Sequence, residues 1–140
     1  MGHASQIAAA IAKSKSNLRI VCIDGDGAVL MHAGGLSNSA DVNNLIHIVL
    51  NNGCHESVGG QPTKAQKIDL YKTAKSLGYK YADKATSVKE IVEKLEYIKT
   101  TKKSCFLEIK CGGDSRQNLS RPRESPRENK NNLMEKLLNE

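Results

Sequence analysis

Two polar side chains each follow an apolar, strand-like run in the first half of the chain. Asp26 comes shortly after an apolar run over residues 18–23, and Asn52 follows a second run over residues 45–50. When parallel strands end side by side, such residues meet at the carboxyl edge of the sheet, where open α/β sheets bind ligands. Carboxylate and amide oxygens suit a hard cation such as Mg²⁺. The spacing therefore predicts a cation site at this edge.

The glycines on either side of Asp26 add a second chemical feature. Gly25 and Gly27 allow backbone N–H groups to approach a phosphate closely, at the N-terminus of the helix that is expected to follow. Together with the cation site, this predicts a place for Mg²⁺ and a diphosphate.

The elements that must position these residues alternate between helix and strand. Apolar spacing of three to four residues indicates helices, and short β-branched runs indicate strands. This α-β-α-β-α-β-α-β order predicts an α/β fold with a mostly parallel sheet and helices on both faces. The predicted helices cover residues 5–14, 28–35, 64–77 and 87–99, and the predicted strands cover 18–23, 45–50, 79–82 and 104–109.

Local signals refine three of the helices. The polar run Ser37-Asn38-Ser39 is expected to separate the second helix from the next strand, and Ile68 is expected to face the core within the third. Ser87 and Glu90 form a capping-box pattern at the start of the fourth. The apolar stripe predicted for this last helix consists of Ile91, Val92, Leu95 and Ile98.

The composition changes after residue 110. Residues 1–110 are expected to form one cofactor-binding domain. Residues 111–140 carry many charges and few apolar side chains, which predicts an extended tail. The segment Leu133–Leu138 is expected to form a short amphipathic turn that docks on this chain or on a partner.

Charge and composition exclude several classes of protein. The net charge is +6, but aromatic residues make up only 4% of the chain, and neither a pattern of stacking aromatics among the charges nor a reading helix is evident. The basic residues therefore indicate a solvated surface, and no nucleic-acid partner is predicted. No apolar run approaches the roughly 20 residues that span a bilayer, so no membrane partner is predicted. The four cysteines form no C-x-x-C pair and are interpreted as reduced thiols in a cytoplasmic protein.

The order of motifs resembles thiamine-diphosphate enzymes, and more narrowly the C-terminal cofactor-binding domain of phosphonopyruvate decarboxylases, relatives of the sulfopyruvate decarboxylases. A lone G-D-G motif would be a weak signal, whereas these blocks in order are a strong one. They read M-G-H-A over residues 1–4, D-G-D-G-A over 24–28, N-L-I-H-I-V-L-N-N-G over 44–53 and S-V-G-G-Q-P-T over 57–63. Shorter matches are F-L-E-I-K over residues 106–110 and the tail from Arg121-Pro122 to Lys130.

The resemblance assigns roles to individual residues. It implies that Mg²⁺ is bound by the side chains of Asp26 and Asn52 and by the backbone carbonyl of Cys54. It implies that Gly27 and Ala28 donate backbone N–H groups to the diphosphate. His55 is expected to face the substrate as a catalytic residue. The further residues expected at the cofactor are Met1, which would hold it bent, together with Gly2, His3 and Gly25.

The same resemblance implies a thiamine-diphosphate-dependent decarboxylase of a small 2-oxo acid, converting phosphonopyruvate to phosphonoacetaldehyde and CO₂. Sulfopyruvate or a related 2-oxo acid stays open as the substrate. In this family a pyrimidine-binding domain supplies an activating glutamate, and the chain begins at the M-G-H-A block without one. The chain is therefore expected to be inactive without a partner domain or subunit, and to form at least a dimer when functional. A subunit, a fragment and an inactive remnant all fit this expectation.

Two alternatives from other classes are kept. Asp24 and Asp26 fit the D-x-D-G start of a haloacid-dehalogenase-like phosphatase, with Asp24 as nucleophile and Asp26 as general acid. Ala28 stands where that motif expects Thr or Val, and no downstream pair of aspartates completes its metal site. The other alternative is a non-catalytic interaction module that uses the basic face and the segment Leu133–Leu138.

Overall fold

Four parallel strands form the central sheet of the computed structural model, which describes residues 1–113, 118, 120 and 122–139. These strands are β1 (Ile20–Gly25), β2 (Leu45–Asn51), β5 (Tyr81–Ala85) and β6 (Cys105–Lys110). Their spatial order is β1-β2-β6-β5, so the last strand in the chain lies between the second and the fifth. Every pairing in this sheet is parallel.

Helices connect these strands, and a two-stranded antiparallel pair follows β2. Short 3₁₀ turns cover Ala33–Gly35, Glu56–Val58 and Lys64–Gln66. The antiparallel pair is β3 (Cys54–His55) with β4 (Gln61–Pro62). The helices are α1 (Ala4–Ser14), α2 (Asp26–Met31), α3 (Leu36–Ala40), α4 (Leu70–Ser76), α5 (Val88–Thr100) and α6 (Pro126–Asn139).

Helices α1 to α4 cover one face of the sheet. Phe106 and Val49 point into this layer and are fully buried. Ala-rich α1 packs close to β1 through Ala8, Ala9 and Ala12. The small side chains at these three positions allow the helix axis to approach the strand.

Helix α5 covers part of the opposite face. Ile98 packs there against the β6 residues Cys105 and Leu107, all of them buried. On the β1 side of this face, Val21 and Ile23 are 52% and 64% exposed. Because helices lie on both faces of a parallel sheet, the predicted fold class is confirmed.

Three local predictions are corrected by the structure. The Ser37-Asn38-Ser39 run lies inside α3, because Leu36 and Ala40 are buried on either side of it. The predicted helix over residues 64–77 is divided into a 3₁₀ turn and α4, and Ile68 between them is 39% exposed. Val92 does not belong to the buried stripe of α5, since it is 54% exposed.

The capping pattern of α5 is present in a modified form. The Ser87 hydroxyl accepts the Glu90 N–H at 3.3 Å. The Glu90 carboxylate accepts both the N–H and the hydroxyl of Thr86, one residue before the cap. These hydrogen bonds hold the pKa of Glu90 below its usual value.

The tail contains a longer helix than the sequence predicts. Helix α6 begins at Pro126 and includes the whole Leu133–Leu138 segment, where Leu138 is 80% exposed. Residues 114–117, 119, 121 and 140 of the predicted tail, with Arg121 of the family motif among them, lie outside the described residues. Within the described residues, no helix combines the length and apolar character needed to cross a membrane.

Candidate functional site

The two strands that precede the predicted ligands end at the same edge of the sheet. Strand β1 pairs with β2 in parallel, and Gly25 lies opposite Leu50 in the register. Asp26 begins α2 directly after β1, and Asn52 directly follows β2. The structure therefore places both residues at one carboxyl edge, as their positions after the two strands predict.

A cleft of about 780 Å³ opens at this edge. Most residues of the predicted site line it, together with Cys111, Gly112, Ser120 and Pro122 of the tail segment. The predicted site residues in the cleft are Met1, Gly25, Asp26, Gly27, Ala28, Asn52, Cys54 and His55.

Asp26 is the buried carboxylate of the cleft, with an exposed fraction of only 1%. The Thr63 hydroxyl donates a hydrogen bond to its Oδ2 atom. Among the described residues, no lysine, arginine or histidine forms an ion pair with Asp26. A buried carboxylate without a counter-charge is costly, and a bound cation removes that cost. The site therefore fits a divalent metal at Asp26.

The loop after β2 presents the other two candidate ligands. Asn52 Oδ1 accepts the Cys54 N–H at 3.1 Å, and its Nδ2 donates to Glu56 at 3.1 Å. Because the Asn52 nitrogen is hydrogen-bonded to Glu56, the amide oxygen is the Asn52 atom that can face a cation in the cleft. Cys54 lies opposite Pro62 in the antiparallel pair, and a proline has no N–H to donate to the Cys54 carbonyl. Hard oxygen ligands are thus available for Mg²⁺.

The His55 imidazole lies directly against Gly27. A Cβ atom at position 27 would lie 2.6 Å from two atoms of the His55 imidazole. The absence of a side chain allows that ring to lie against the start of α2, beside the cleft. His55 is half-buried, which leaves part of its ring accessible from the cleft.

Thr63 connects the two sides of the site and was missed by the sequence reasoning. Its N–H donates to the Gly53 carbonyl at 2.8 Å, while its hydroxyl donates to Asp26. It also caps the 3₁₀ turn that follows, by accepting the Ala65 N–H. The available signal was its position as the last residue of the S-V-G-G-Q-P-T block, in front of a new helical turn.

The first three residues occupy different positions relative to the cleft. Met1 lines it and is 71% exposed. Gly2 and His3 are not among the described residues that line it. Gly2 has a φ of +83° and lies so close to α2 that a Cβ would be 3.0 Å from the Ala28 carbonyl. The His3 ring stacks on that of His32, with centroids 4.5 Å apart.

A buried glutamate supports the strand end that leads to Asn52. Glu108 on β6 is fully buried, and its Oε1 accepts the Asn51 amide at 2.7 Å and the Lys110 ammonium at 3.0 Å. Its Oε2 accepts the Tyr71 N–H in the first turn of α4 at 3.2 Å. One carboxylate therefore joins the end of β2 to the start of α4.

Replacing this carboxylate is expected to destabilise the fold. Glu108→Ala leaves the Asn51 amide and the Tyr71 N–H unpaired in the interior, so it should lower the free energy of unfolding by about 3 kcal/mol. Urea unfolding followed by circular dichroism measures the change. Glu96→Ala is the matched control, because Lys99, which is exposed, is the one ion-pair partner of Glu96 among the described residues. Its loss should cost less than about 1 kcal/mol. Equal stabilities for the two variants would contradict this assignment.

Asp24 does not lie in the cleft with Asp26. Its carboxylate faces His47 on β2, with 3.7 Å between Oδ2 and Nε2. The phosphatase alternative requires both aspartates at one reacting phosphate, and this arrangement separates them.

Comparison with known proteins assigns the family. Residues 1–109 match the model of the thiamine pyrophosphate enzyme C-terminal TPP-binding domain. Since this covers most of the chain, the protein belongs to that family. The predicted resemblance is thereby confirmed.

Curated relatives are decarboxylases that are longer than this chain. Phosphonopyruvate decarboxylase from Streptomyces viridochromogenes is 34% identical over 111 residues, which cover 78% of this chain and 28% of that protein. Sulfopyruvate decarboxylase subunit beta from Methanothermobacter thermautotrophicus is 43% identical over 81 residues, 56% of this chain and 43% of that protein. The corresponding subunit from Methanocaldococcus jannaschii is 33% identical over 114 residues, 79% of this chain and 56% of that protein. The chain thus spans about a quarter to just over half of their lengths.

Solved structures support the fold. The thiamine diphosphate-dependent 4-hydroxybenzoylformate decarboxylase of Rhodococcus jostii RHA1 superposes with a TM-score of 0.66 at 16% identity, covering 81% of this chain and 24% of that chain. At this identity the likeness concerns the fold alone.

Proposed function

We propose that this chain is the diphosphate-binding part of a thiamine-diphosphate-dependent decarboxylase that acts on phosphonopyruvate. The observation that carries the proposal is the buried Asp26 carboxylate in a cleft with Asn52, at the carboxyl edge of the sheet. When bound, thiamine diphosphate supplies the electron sink for loss of CO₂ from a 2-oxo acid.

Three oxygen atoms of the chain would hold Mg²⁺. They are a carboxylate oxygen of Asp26, Oδ1 of Asn52 and the backbone carbonyl of Cys54. Diphosphate oxygens and water would complete the octahedral shell that Mg²⁺ prefers. Gly25 leaves open space at the edge of the cleft, and the N–H groups of Gly27 and Ala28 would donate to the diphosphate.

Two further residues have roles at the rest of the cofactor and at the substrate. Met1, which reaches into the cleft from the start of the chain, would support the cofactor in a bent form. Gly2 and His3 would position Met1 against α2. His55 lies beside Gly27 and would orient the substrate carboxylate or exchange a proton with it.

The chain is expected to require a partner. The relatives named as subunit beta imply a second subunit in those proteins. A pyrimidine-binding domain or subunit would provide the activating glutamate, so the functional unit would be at least a dimer. The cysteines at 22, 54, 105 and 111 are free thiols, which agrees with a cytoplasmic location.

Cofactor titration tests the cation and diphosphate assignments. The chain is titrated with thiamine diphosphate by calorimetry, with Mg²⁺ and with EDTA, first alone and then with a pyrimidine-binding domain present. Saturable binding that EDTA abolishes is the expected result. The proposal fails if no Mg²⁺-dependent binding occurs even when the partner domain is present.

A further inference from the structure

A group of side chains of the types that can ligate a metal lies outside the cleft, on β1 and β2. Cys22 and Asp24 project from β1 to the same face of the sheet as His47 on β2. The parallel register brings Cys22 directly opposite His47. The Cys22 sulfur, a carboxylate oxygen of Asp24 and a ring nitrogen of His47 all lie within 4.8 Å of one another.

The His47 imidazole has one nitrogen that the protein leaves unused. The residue is completely buried, and Nδ1 lies 3.3 Å from the Tyr79 hydroxyl. Nε2 has no hydrogen-bond partner among the described residues, and its distance of 3.7 Å from Asp24 Oδ2 is too long for one. A buried polar atom without a partner costs about 1–3 kcal/mol. This nitrogen therefore indicates a ligand that the protein atoms do not supply.

We propose that Cys22, Asp24 and His47 bind a Zn²⁺ ion, at a site separate from the one at Asp26. Thiolate, imidazole and carboxylate are the three ligand types that Zn²⁺ uses in proteins, whereas Mg²⁺ selects oxygen. The Asp24 side chain is 9% exposed, so water reaches this corner of the site. Three protein ligands and one water give the four-coordinate arrangement of zinc.

The distances suit this geometry. Bonds of about 2.0 Å to nitrogen and oxygen and about 2.3 Å to sulfur place tetrahedral ligand atoms about 3.3–3.6 Å apart. The separation of 3.7 Å between His47 and Asp24 is close to this value. The other ligand atoms of the group also lie within 4.8 Å of one another.

Ion binding would change the chemical state of the thiol. Burial and the nearby Asp24 carboxylate raise the pKa of Cys22 to about 11, so without a cation the thiol keeps its proton. A Zn²⁺ ion takes the thiolate as ligand, and the thiol proton passes to solvent. The ion would tie β1 to β2 two residues before Asp26.

Cobalt substitution tests the site directly. The full chain is prepared reduced and metal-free as the variant Asp26→Asn, which disables the first cation site, and is titrated with Co²⁺. The expected result is thiolate-to-cobalt charge-transfer absorption that saturates at one equivalent and is reversed by Zn²⁺. Cys22→Ser and His47→Gln, added singly, should each weaken binding by at least about 10- to 100-fold, the loss already seen when outer partners of a metal site are removed.

A matched thiol variant controls for adventitious binding. Cys111 is exposed and lines the cleft, so Cys111→Ser should leave the cobalt spectrum unchanged. The proposal is overturned if no charge-transfer band appears, or if the band survives in Cys22→Ser. The metal-free circular dichroism spectrum of each variant establishes that it is folded. A loss of cobalt binding is interpreted only in a variant that is folded. If Cys22→Ser or His47→Gln does not fold, Asp24→Asn replaces it as a ligand variant.

Discussion

Release of CO₂ from phosphonopyruvate is expected only when a pyrimidine-binding domain accompanies this chain. The described residues would supply the contacts proposed for a metal and a diphosphate, and the family resemblance assigns the activating glutamate to another domain. A sharp test is a chimera in which this chain replaces the matched segment of the Streptomyces viridochromogenes enzyme. The chimera should convert phosphonopyruvate, with phosphonoacetaldehyde measured by a coupled assay, while the chain alone shows no turnover.

Two controls make this result interpretable. Changing the activating glutamate of the added domain to glutamine should lower the rate by about 100-fold or more, as expected for loss of a proton-transfer group. Sulfopyruvate assayed in parallel distinguishes the two substrate assignments. Turnover by the isolated chain would disprove the need for a partner. A chimera that binds thiamine diphosphate but converts neither substrate would contradict the decarboxylase proposal.

Removal of the Asp26 charge should produce the largest loss of cofactor affinity of any single substitution in the cleft. Asp26→Asn keeps an oxygen that accepts the Thr63 hydroxyl, so the fold should survive, but it removes the negative charge that would bind Mg²⁺. We expect the Kd for thiamine diphosphate in the presence of Mg²⁺ to rise at least about 100-fold, equivalent to roughly 2.7 kcal/mol. Calorimetry on the chain with its partner domain measures it.

The matched control for this variant is Asp41→Asn. Asp41 is exposed at the end of α3 and lies outside the cleft, so its replacement changes the net charge equally without touching the site. Its Kd should stay within about threefold of the wild-type value, which corresponds to less than about 0.7 kcal/mol. An Asp26→Asn variant that binds as tightly as Asp41→Asn would remove Asp26 from the set of metal ligands.

The sheet and its ligand edge were predictable because their signals are local. Apolar runs identified β1 and β2, and the residues directly after each run had to meet at one edge once the strands were parallel. Helix α3 was not predictable in this way. Its sequence, with Ser37, Asn38 and Ser39, has low helix propensity, and burial of Leu36 and Ala40 outweighs that preference.

Contacts between residues that are far apart in the sequence could not be predicted either. Thr63 and Asp26 are 37 residues apart in the sequence, so the residues around either one do not predict their hydrogen bond. Nor could a single sequence show that Cys22 lies opposite His47, because this depends on the register between two strands. For the divided helix over residues 64–77 a local signal existed, since Asp69 is a favourable residue at the start of α4.

The hydrogen bonds of Thr63 have a thermodynamic consequence for ligand capture. They fix the Asp26 carboxylate and the Gly53 carbonyl relative to each other in the free protein. The entropic cost of ordering these groups is therefore met during folding, and cofactor binding does not incur it a second time. The cofactor should therefore bind to a preformed surface around Asp26. Conformational change on binding should be confined to Met1, which is exposed, and to the partner domain.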